Sequence, residues 1–117
     1  MLSNDDRYRP FGLVNDMLAT PEIIRRFDVD QAADTARKIA EVGRLLMTGE
    51  GSSRIFPAKN AIAYALHQGY GLQLHTEAGI QAHEYDLNGW AVFALSNSGR
   101  TAEVIHLFTA LQNSVNT

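Results

Sequence analysis

Hydrophobic positions along the chain follow two patterns, one typical of buried strands and one typical of helices. Short apolar runs occupy residues 45–48 and 90–95, and residues 71–75 are predicted as a further strand between them. Runs that are apolar at every position are expected of parallel strands covered on both faces of a sheet. Other segments carry apolar residues every three or four positions, as amphipathic helices do. These helical segments are predicted to begin near Thr20, Asp30, Pro57, Ile80 and Thr101.

Residues with special backbone preferences mark the ends of the predicted helices. Thr20 can cap a helix, and Pro21 suits the first helical position, so a helix is predicted to begin there. Gly43 and Gly69 stand where the second and third helices should end, because glycine readily adopts the left-handed conformation of a C-cap. The side chains expected to face inward from the first helix are Ile23, Ile24 and Phe27.

The order of these elements predicts an α/β protein. A strand, a glycine-rich turn, a helix, a second strand, a short crossover, a third strand, a polar turn and a last helix follow one another. We therefore expect a three-layer, flavodoxin-like parallel sheet with helices on both faces. Residues 1–19 carry little pattern and are predicted to form an N-terminal arm, followed by one domain at residues 20–117.

Composition and charge narrow the classes of function. The net charge is −3 and no run of Lys or Arg is present, so nucleic acid is not an expected partner. Cysteine is absent, which excludes disulfides and cysteine nucleophiles. No run of about 18 apolar residues predicts a membrane span, and the N-terminus lacks the apolar core of a signal peptide, so the cytoplasm is the expected location. His75, His83 and the acids are too scattered to predict a metal site, and no cofactor is expected.

The turn after the third predicted strand carries hydroxyl groups at the start of a helix. The N-terminus of a helix presents unpaired backbone N–H groups and a partial positive charge, which together attract anions. A glycine in the turn lets the backbone approach a ligand closely. The same residue types also cap helices that bind nothing, and Arg100 could either contact a ligand or point into solvent. The residues predicted to hold a phosphate here are Ser96, Asn97, Ser98, Gly99 and Thr101.

A second turn, Gly49–Arg54, follows the first predicted strand. Its Gly-x-Gly start suggests a dinucleotide-binding turn, but Arg54 occupies the position of the third glycine. The second strand is expected to close with His75 and Thr76, and neither is the acid that a ribose requires. No Gly-Lys-Ser/Thr motif of a P-loop is present. Dinucleotides and nucleoside triphosphates are therefore not the predicted ligands.

The two turns together resemble those of the SIS (sugar isomerase) domain family. Gly49-Glu50-Gly51-Ser52-Ser53 ends the first strand, and Ser96-Asn97-Ser98-Gly99-Arg100-Thr101-Ala102-Glu103 ends the third. The lead-in Met17–Ile23 is also similar, and the likeness extends from about residue 15 to the end of the chain. It is greatest to tandem-SIS sugar isomerases and to the isomerase half of glucosamine-6-phosphate synthase. The resemblance implies phosphosugar binding by the hydroxyl groups of Ser52, Ser53, Ser96, Ser98 and Thr101, with Asn97 contributing through its backbone.

The resemblance also implies what this chain lacks. A SIS domain has five parallel strands in the order 2-1-3-4-5, of which only the first three are predicted here. The acid, base and lysine of the synthase lie beyond them, and the catalytic glutamate of other branches corresponds to Ala63. Glu84 is the remaining weak candidate for a catalytic residue, although a solvated loop carboxylate is the simpler interpretation.

Three functions stay open after the sequence is considered. The chain is a part of a sugar-phosphate isomerase, a phosphosugar sensor without catalysis, or a flavodoxin-like domain that binds another phosphorylated ligand. The missing acid at Ala63 favours binding without turnover by this chain alone. The third strand is expected to lie beside the first with its other edge unpaired, which predicts a homodimer or higher homo-oligomer.

Overall fold

The computed structural model describes Arg7 and residues 10–112. Contacts divide the chain into two compact units, Met1–Ala33 and Asp34–Thr117. The first unit contains helix α1, Gly12–Arg26, and a 3-10 turn at Val29–Ala32.

Helix α1 begins earlier than predicted, so the predicted start at Thr20 is wrong. The Thr20 hydroxyl donates to the Asp16 carbonyl oxygen at 2.8 Å, one turn back, instead of capping a new helix. Pro21 lies inside the helix, where its ring removes one backbone hydrogen bond without ending the element. The side chains predicted to face inward, Ile23, Ile24 and Phe27, are exposed, so that prediction is wrong as well.

The second unit alternates helices and strands. The predicted C-caps are confirmed, because Gly43 and Gly69 adopt positive φ angles of 73° and 69° after their helices. No helix in the part of the chain that the structure describes is long and apolar enough to cross a membrane. The elements are α2 (Ala33–Val42), β1 (Arg44–Gly49), α3 (Gly51–Gln68), β2 (Gln73–Glu77), α4 (Gly79–Ala82), β3 (Ala91–Leu95) and α5 (Ala102–Leu111).

The three strands form one parallel sheet in the order β2-β1-β3. In its register Thr48 of β1 lies beside Glu77 of β2, and Gly49 of β1 lies beside Leu95 of β3. The strands therefore end together, at what is called here the carboxyl edge of the sheet. The predicted α/β class and the predicted placement of the third strand beside the first are confirmed.

Strand β1 is the centre of the core. Leu46, Met47 and Thr48 are consecutive and all buried. Because successive side chains of a strand point to opposite faces, this burial means that both faces of β1 are covered. Leu46 packs with Ala82 of α4, Leu87 of the following loop and Leu107 of α5, and Trp90, Val92 and Leu111 surround this cluster.

The start of helix α3 and the end of strand β2 differ from the prediction, and both lie at the carboxyl edge. Helix α3 begins at Gly51 rather than at Pro57, so the turn that follows β1 is shorter than predicted, and Ser52 and Ser53 belong to the helix. Pro57 lies inside α3, where its missing N–H leaves the Ser53 carbonyl without its usual partner. Strand β2 begins at Gln73 and extends to Glu77, two residues beyond its predicted end.

Candidate functional site

The two predicted turns meet at the carboxyl edge, where β1 and β3 end side by side. Gly49 has a φ of 145°, and a Cβ atom added to it would lie 2.3 Å from the Leu95 carbonyl oxygen. The two backbones are thus in direct contact, which only glycine allows at this position. Helix α3 and the loop Ser96–Arg100 consequently start from adjacent points of the sheet.

The first turn consists of Glu50, the N-cap residue of α3, and the first helical residue, Gly51. Gly51 has a φ of 58°, a left-handed conformation that turns the chain sharply into the helix. Ser52 and Ser53 follow in the first helical turn and are exposed. The side chain of the N-cap residue makes no capping hydrogen bond, so the first N–H groups of this 18-residue helix receive no acceptor from it.

The second turn is organised by its own hydroxyl groups. Ser96 Oγ lies 2.8 Å from Thr101 Oγ1 and accepts a hydrogen bond from the Gly99 N–H at 3.1 Å. Ser98 Oγ accepts from the Arg100 N–H at 3.1 Å. A hydroxyl that accepts from the backbone keeps its own proton for donation, so Ser98, which is exposed, can still donate to a ligand.

These hydrogen bonds fix the conformation of the loop that precedes α5. Thr101 is the N-cap residue of α5, but its hydroxyl is paired with Ser96 rather than with an N–H of the helix. The N-terminus of α5 thus lacks a side-chain cap, as that of α3 does. Asn97 and Arg100 are exposed at the outside of the loop.

The path of the chain reverses the strand order of the sheet at this place. From β1 the chain crosses to β2 on one side, and from β2 it returns past β1 to β3 on the other side. Ligands of open α/β sheets bind outside the carboxyl ends of the strands where the strand order reverses in this way. Of the seven predicted phosphate ligands, two lie in the first turn of helix α3, four lie in the loop after β3, and Thr101 is the N-cap residue of α5.

A carboxylate that the sequence pattern did not predict lies at the other side of β1, at the end of β2. Glu77 ends β2, which corrects the expectation that no acid closes the second strand. Its Oε1 accepts from the Ala78 N–H at 2.9 Å, and its Oε2 accepts from the Tyr85 hydroxyl at 3.1 Å. The bond from the Ala78 N–H is the largest cause of the lowered pKa of Glu77; burial opposes it, and the Tyr85 bond lowers the pKa further. The bond to Glu77 is also the main reason that the pKa of Tyr85 is raised.

The presence of Glu77 at the end of β2 does not make the turn after β1 a dinucleotide-binding motif. The third glycine of that motif permits close packing of helix on strand, and here the Cβ of Arg54 lies 3.4 Å from where a Cβ on Gly49 would be. The strand order also differs, because the dinucleotide fold places its third strand beside the second, and β3 lies beside β1.

Two long side chains tie the first turn to β2 and α4. Arg54 Nη1 donates to Thr76 Oγ1 at 3.1 Å, and Thr76 Oγ1 donates to the Met47 carbonyl oxygen at 2.8 Å. Glu50 Oε1 accepts from the Gly79 N–H, the first of α4, at 2.8 Å. These contacts fix the start of α3 against the sheet from the side opposite to the serine loop.

Glu84, the weak catalytic candidate, lies in the turn after α4 and is exposed. The hydrogen bond to Glu77 is the main cause of the raised pKa of Tyr85, and the charge of Glu84 contributes least to it. Within the described part of the chain, no three His, Asp or Glu side chains are grouped so that they could hold a metal ion.

Comparison of the chain with known proteins returns no relative. No protein-family model, no curated protein and no solved structure matches it.

Proposed function

We propose that this domain binds a phosphorylated sugar, with the phosphate held between the first turn of α3 and the Ser96–Thr101 segment. The observation that carries the proposal is the pair of helix starts without side-chain caps, on strands that end in contact at Gly49 and Leu95. Each start offers free N–H groups and a partial positive charge to one anion.

Hydroxyl groups supply the remaining contacts that a phosphate requires. Ser52 and Ser53 lie in the first turn of α3, and Ser96, Ser98 and Thr101 lie in the segment before α5. A phosphate has three acceptor oxygens to share among such donors. The strand order β2-β1-β3 is also the order of the first strands in flavodoxin-like and SIS domains. The serine turns, their resemblance to SIS turns and this order together favour a phosphosugar over other phosphorylated ligands.

Binding without turnover is the form of the function that we propose for this chain. Ala63, on α3, stands where other SIS branches have a catalytic glutamate and has no group that can move a proton. Glu84 lies in the turn that follows α4 and is part of neither serine-containing segment. A coupled isomerase assay should accordingly give the uncatalysed rate.

Thermal unfolding in the presence of ligands tests the proposal. Glucose 6-phosphate and fructose 6-phosphate should raise the melting temperature, and the corresponding free sugars should not. A substitution tests the role of a single hydroxyl group. Ser98→Ala should weaken the binding of glucose 6-phosphate about tenfold, because a hydrogen bond to a charged group contributes about 1.5–3 kcal/mol. Ser114→Ala removes a serine that the proposal does not involve and is the matched control. Equal shifts with phosphorylated and free sugars would refute the proposal.

A further inference from the structure

The starts of three helices form a continuous series of contacts at the carboxyl edge. Glu50, the N-cap residue of α3, accepts a hydrogen bond from the N–H of Gly79, the first residue of α4. Gly79 is itself buried, and a Cβ added to it would lie 2.9 Å from the carbonyl carbon of Glu103 and 3.0 Å from its oxygen. Glu103 belongs to the first turn of α5. Helix α4 is therefore the spacer between the starts of α3 and α5.

The position of Glu50 is at first sight unfavourable for an anion site. Its backbone is the N-cap of a helix whose free N–H groups face the proposed phosphate, and a second negative charge there would repel the ligand. The hydrogen bond to Gly79 holds one carboxylate oxygen on the α4 side of the turn. The same bond satisfies an N–H that has no partner within α4, because the first N–H groups of any helix lack one.

We propose that Glu50 is a positioning residue of the phosphosugar site, an inference that rests on the function proposed above. Through Gly79 it sets the distance between the start of α3 and the start of α5, which must contact the same phosphate. The carboxylate contributes its acceptor oxygen rather than its charge.

Two substitutions of Glu50 separate the acceptor from the charge. Glu50→Gln keeps an oxygen that can accept from Gly79 and removes the negative charge, so glucose 6-phosphate should bind at least as tightly as to the unmodified protein. Glu50→Ala removes the acceptor, and its affinity should fall about tenfold. Glu41→Gln and Glu41→Ala, on the exposed surface of α2, are the matched controls and should leave the affinity unchanged. If the negative charge of Glu50 were required instead of its acceptor oxygen, both Glu50 variants would bind glucose 6-phosphate more weakly.

Gly79→Ala tests the same spacer without touching Glu50. The added Cβ would meet backbone atoms of Glu103, which cannot rotate away as a side chain can, so α5 must shift. We expect weaker binding of glucose 6-phosphate by a variant that retains its circular dichroism spectrum and cooperative unfolding. Affinities are measured by calorimetry on protein that passes both checks.

The outcomes distinguish the two proposals. Failure of the unmodified protein to bind glucose 6-phosphate would overturn the proposed function and this inference with it. Binding by the unmodified protein together with unchanged affinity in Glu50→Ala, or with equal losses in Glu50→Ala and Glu50→Gln, would overturn the positioning role and leave the proposed function standing.

Discussion

At the scale of single residues, Thr48 is a buried hydroxyl on the central strand. Its side chain is 0% exposed, and its Oγ1 has no hydrogen-bond partner in the described part of the chain. An unpaired buried polar group costs about 1–3 kcal/mol, and valine has the same shape without the hydroxyl. Thr48→Val should therefore raise the free energy of unfolding by about 1 kcal/mol.

Urea denaturation measures this change. Thr109→Val is the matched control, because Thr109 is exposed on α5 and its hydroxyl donates to the Ile105 carbonyl oxygen. The control should change stability by no more than about 0.5 kcal/mol. A loss of stability in Thr48→Val would mean that the buried hydroxyl has a favourable partner.

The Glu77–Tyr85 pair gives a second prediction at this scale. Tyr85→Phe removes the second of the two hydrogen bonds that lower the pKa of Glu77, so that pKa should rise toward its ordinary value. The Ala78 N–H, the larger cause, remains, and the rise should be partial. NMR titration of the Glu77 carboxyl carbon measures it, with Tyr64→Phe on the exposed surface of α3 as the control.

The sign of the effect on stability follows from the same shift. A carboxylate whose pKa is lowered by folding stabilises the folded state at pH values above the pKa of the unfolded chain. This contribution is lost as the pH falls through the lowered pKa of folded Glu77. Tyr85→Phe should thus reduce the difference in stability between neutral and acidic pH, and an unchanged Glu77 pKa would contradict the observed bond.

At the scale of elements, the contact between the ends of β1 and β3 depends on Gly49. A side chain there would meet the Leu95 carbonyl oxygen and would also require a φ of 145° that residues other than glycine rarely adopt. Backbone strain of this kind costs about 1–3 kcal/mol, and the clash adds to it. Gly49→Ala should lower the free energy of unfolding by about 3 kcal/mol.

Gly71→Ala is the control for this prediction. No atom lies within 4 Å of a Cβ built on Gly71, and its φ is not in the positive region. The substitution should change stability by no more than about 0.5 kcal/mol in chemical denaturation. Similar losses in both variants would show that the close approach of β1 and β3 does not govern stability.

Some signals in the sequence locate the ends of helices and strands correctly, and others do not. Continuous apolar runs located β1 and β3, and glycines marked the ends of α2 and α3, because buried strands and left-handed caps admit few residue types. The starts of α1 and α3 differ from the prediction because a proline that follows a polar residue or a turn is also typical of the first helical position. Both prolines lie inside helices, where the rest of the element outweighs one missing hydrogen bond.

The site was predictable to a similar extent. The hydroxyl-rich turns stand out in the sequence, and their convergence follows once the strands are parallel and β3 lies beside β1. The contacts of Glu50 with Gly79 and of Glu77 with Tyr85 join residues that no periodic pattern relates. Glu77 was overlooked because β2 was expected to end at His75, which placed this acid outside the strand.

At the scale of the whole molecule, β3 has an open edge. Within residues 10–112 it pairs with β1 alone, it carries no charge or proline, and Phe93 is 43% exposed. Such an edge can pair with the strand of another chain. We expect a homodimer or higher homo-oligomer, because two-fold pairing of identical edges closes the interface.

Light scattering at micromolar concentration tests the assembly. Phe93→Lys places a charge on the edge strand and should yield a monomer of 12.9 kDa. Phe56→Lys alters an equally apolar and more exposed side chain on α3, 73% exposed, and should leave the assembly intact. A monomeric unmodified protein would contradict the prediction.

The central claim is that one phosphate is held by the starts of both α3 and α5. Nuclear magnetic resonance of the backbone amides, recorded during titration with glucose 6-phosphate, tests it most directly. The account predicts that the largest shift changes occur at Gly51, Ser52 and Ser53 and at Ser98, Gly99 and Ala102, and that free glucose produces none of them. Changes confined to one of the two turns, or equal changes with glucose, would contradict it.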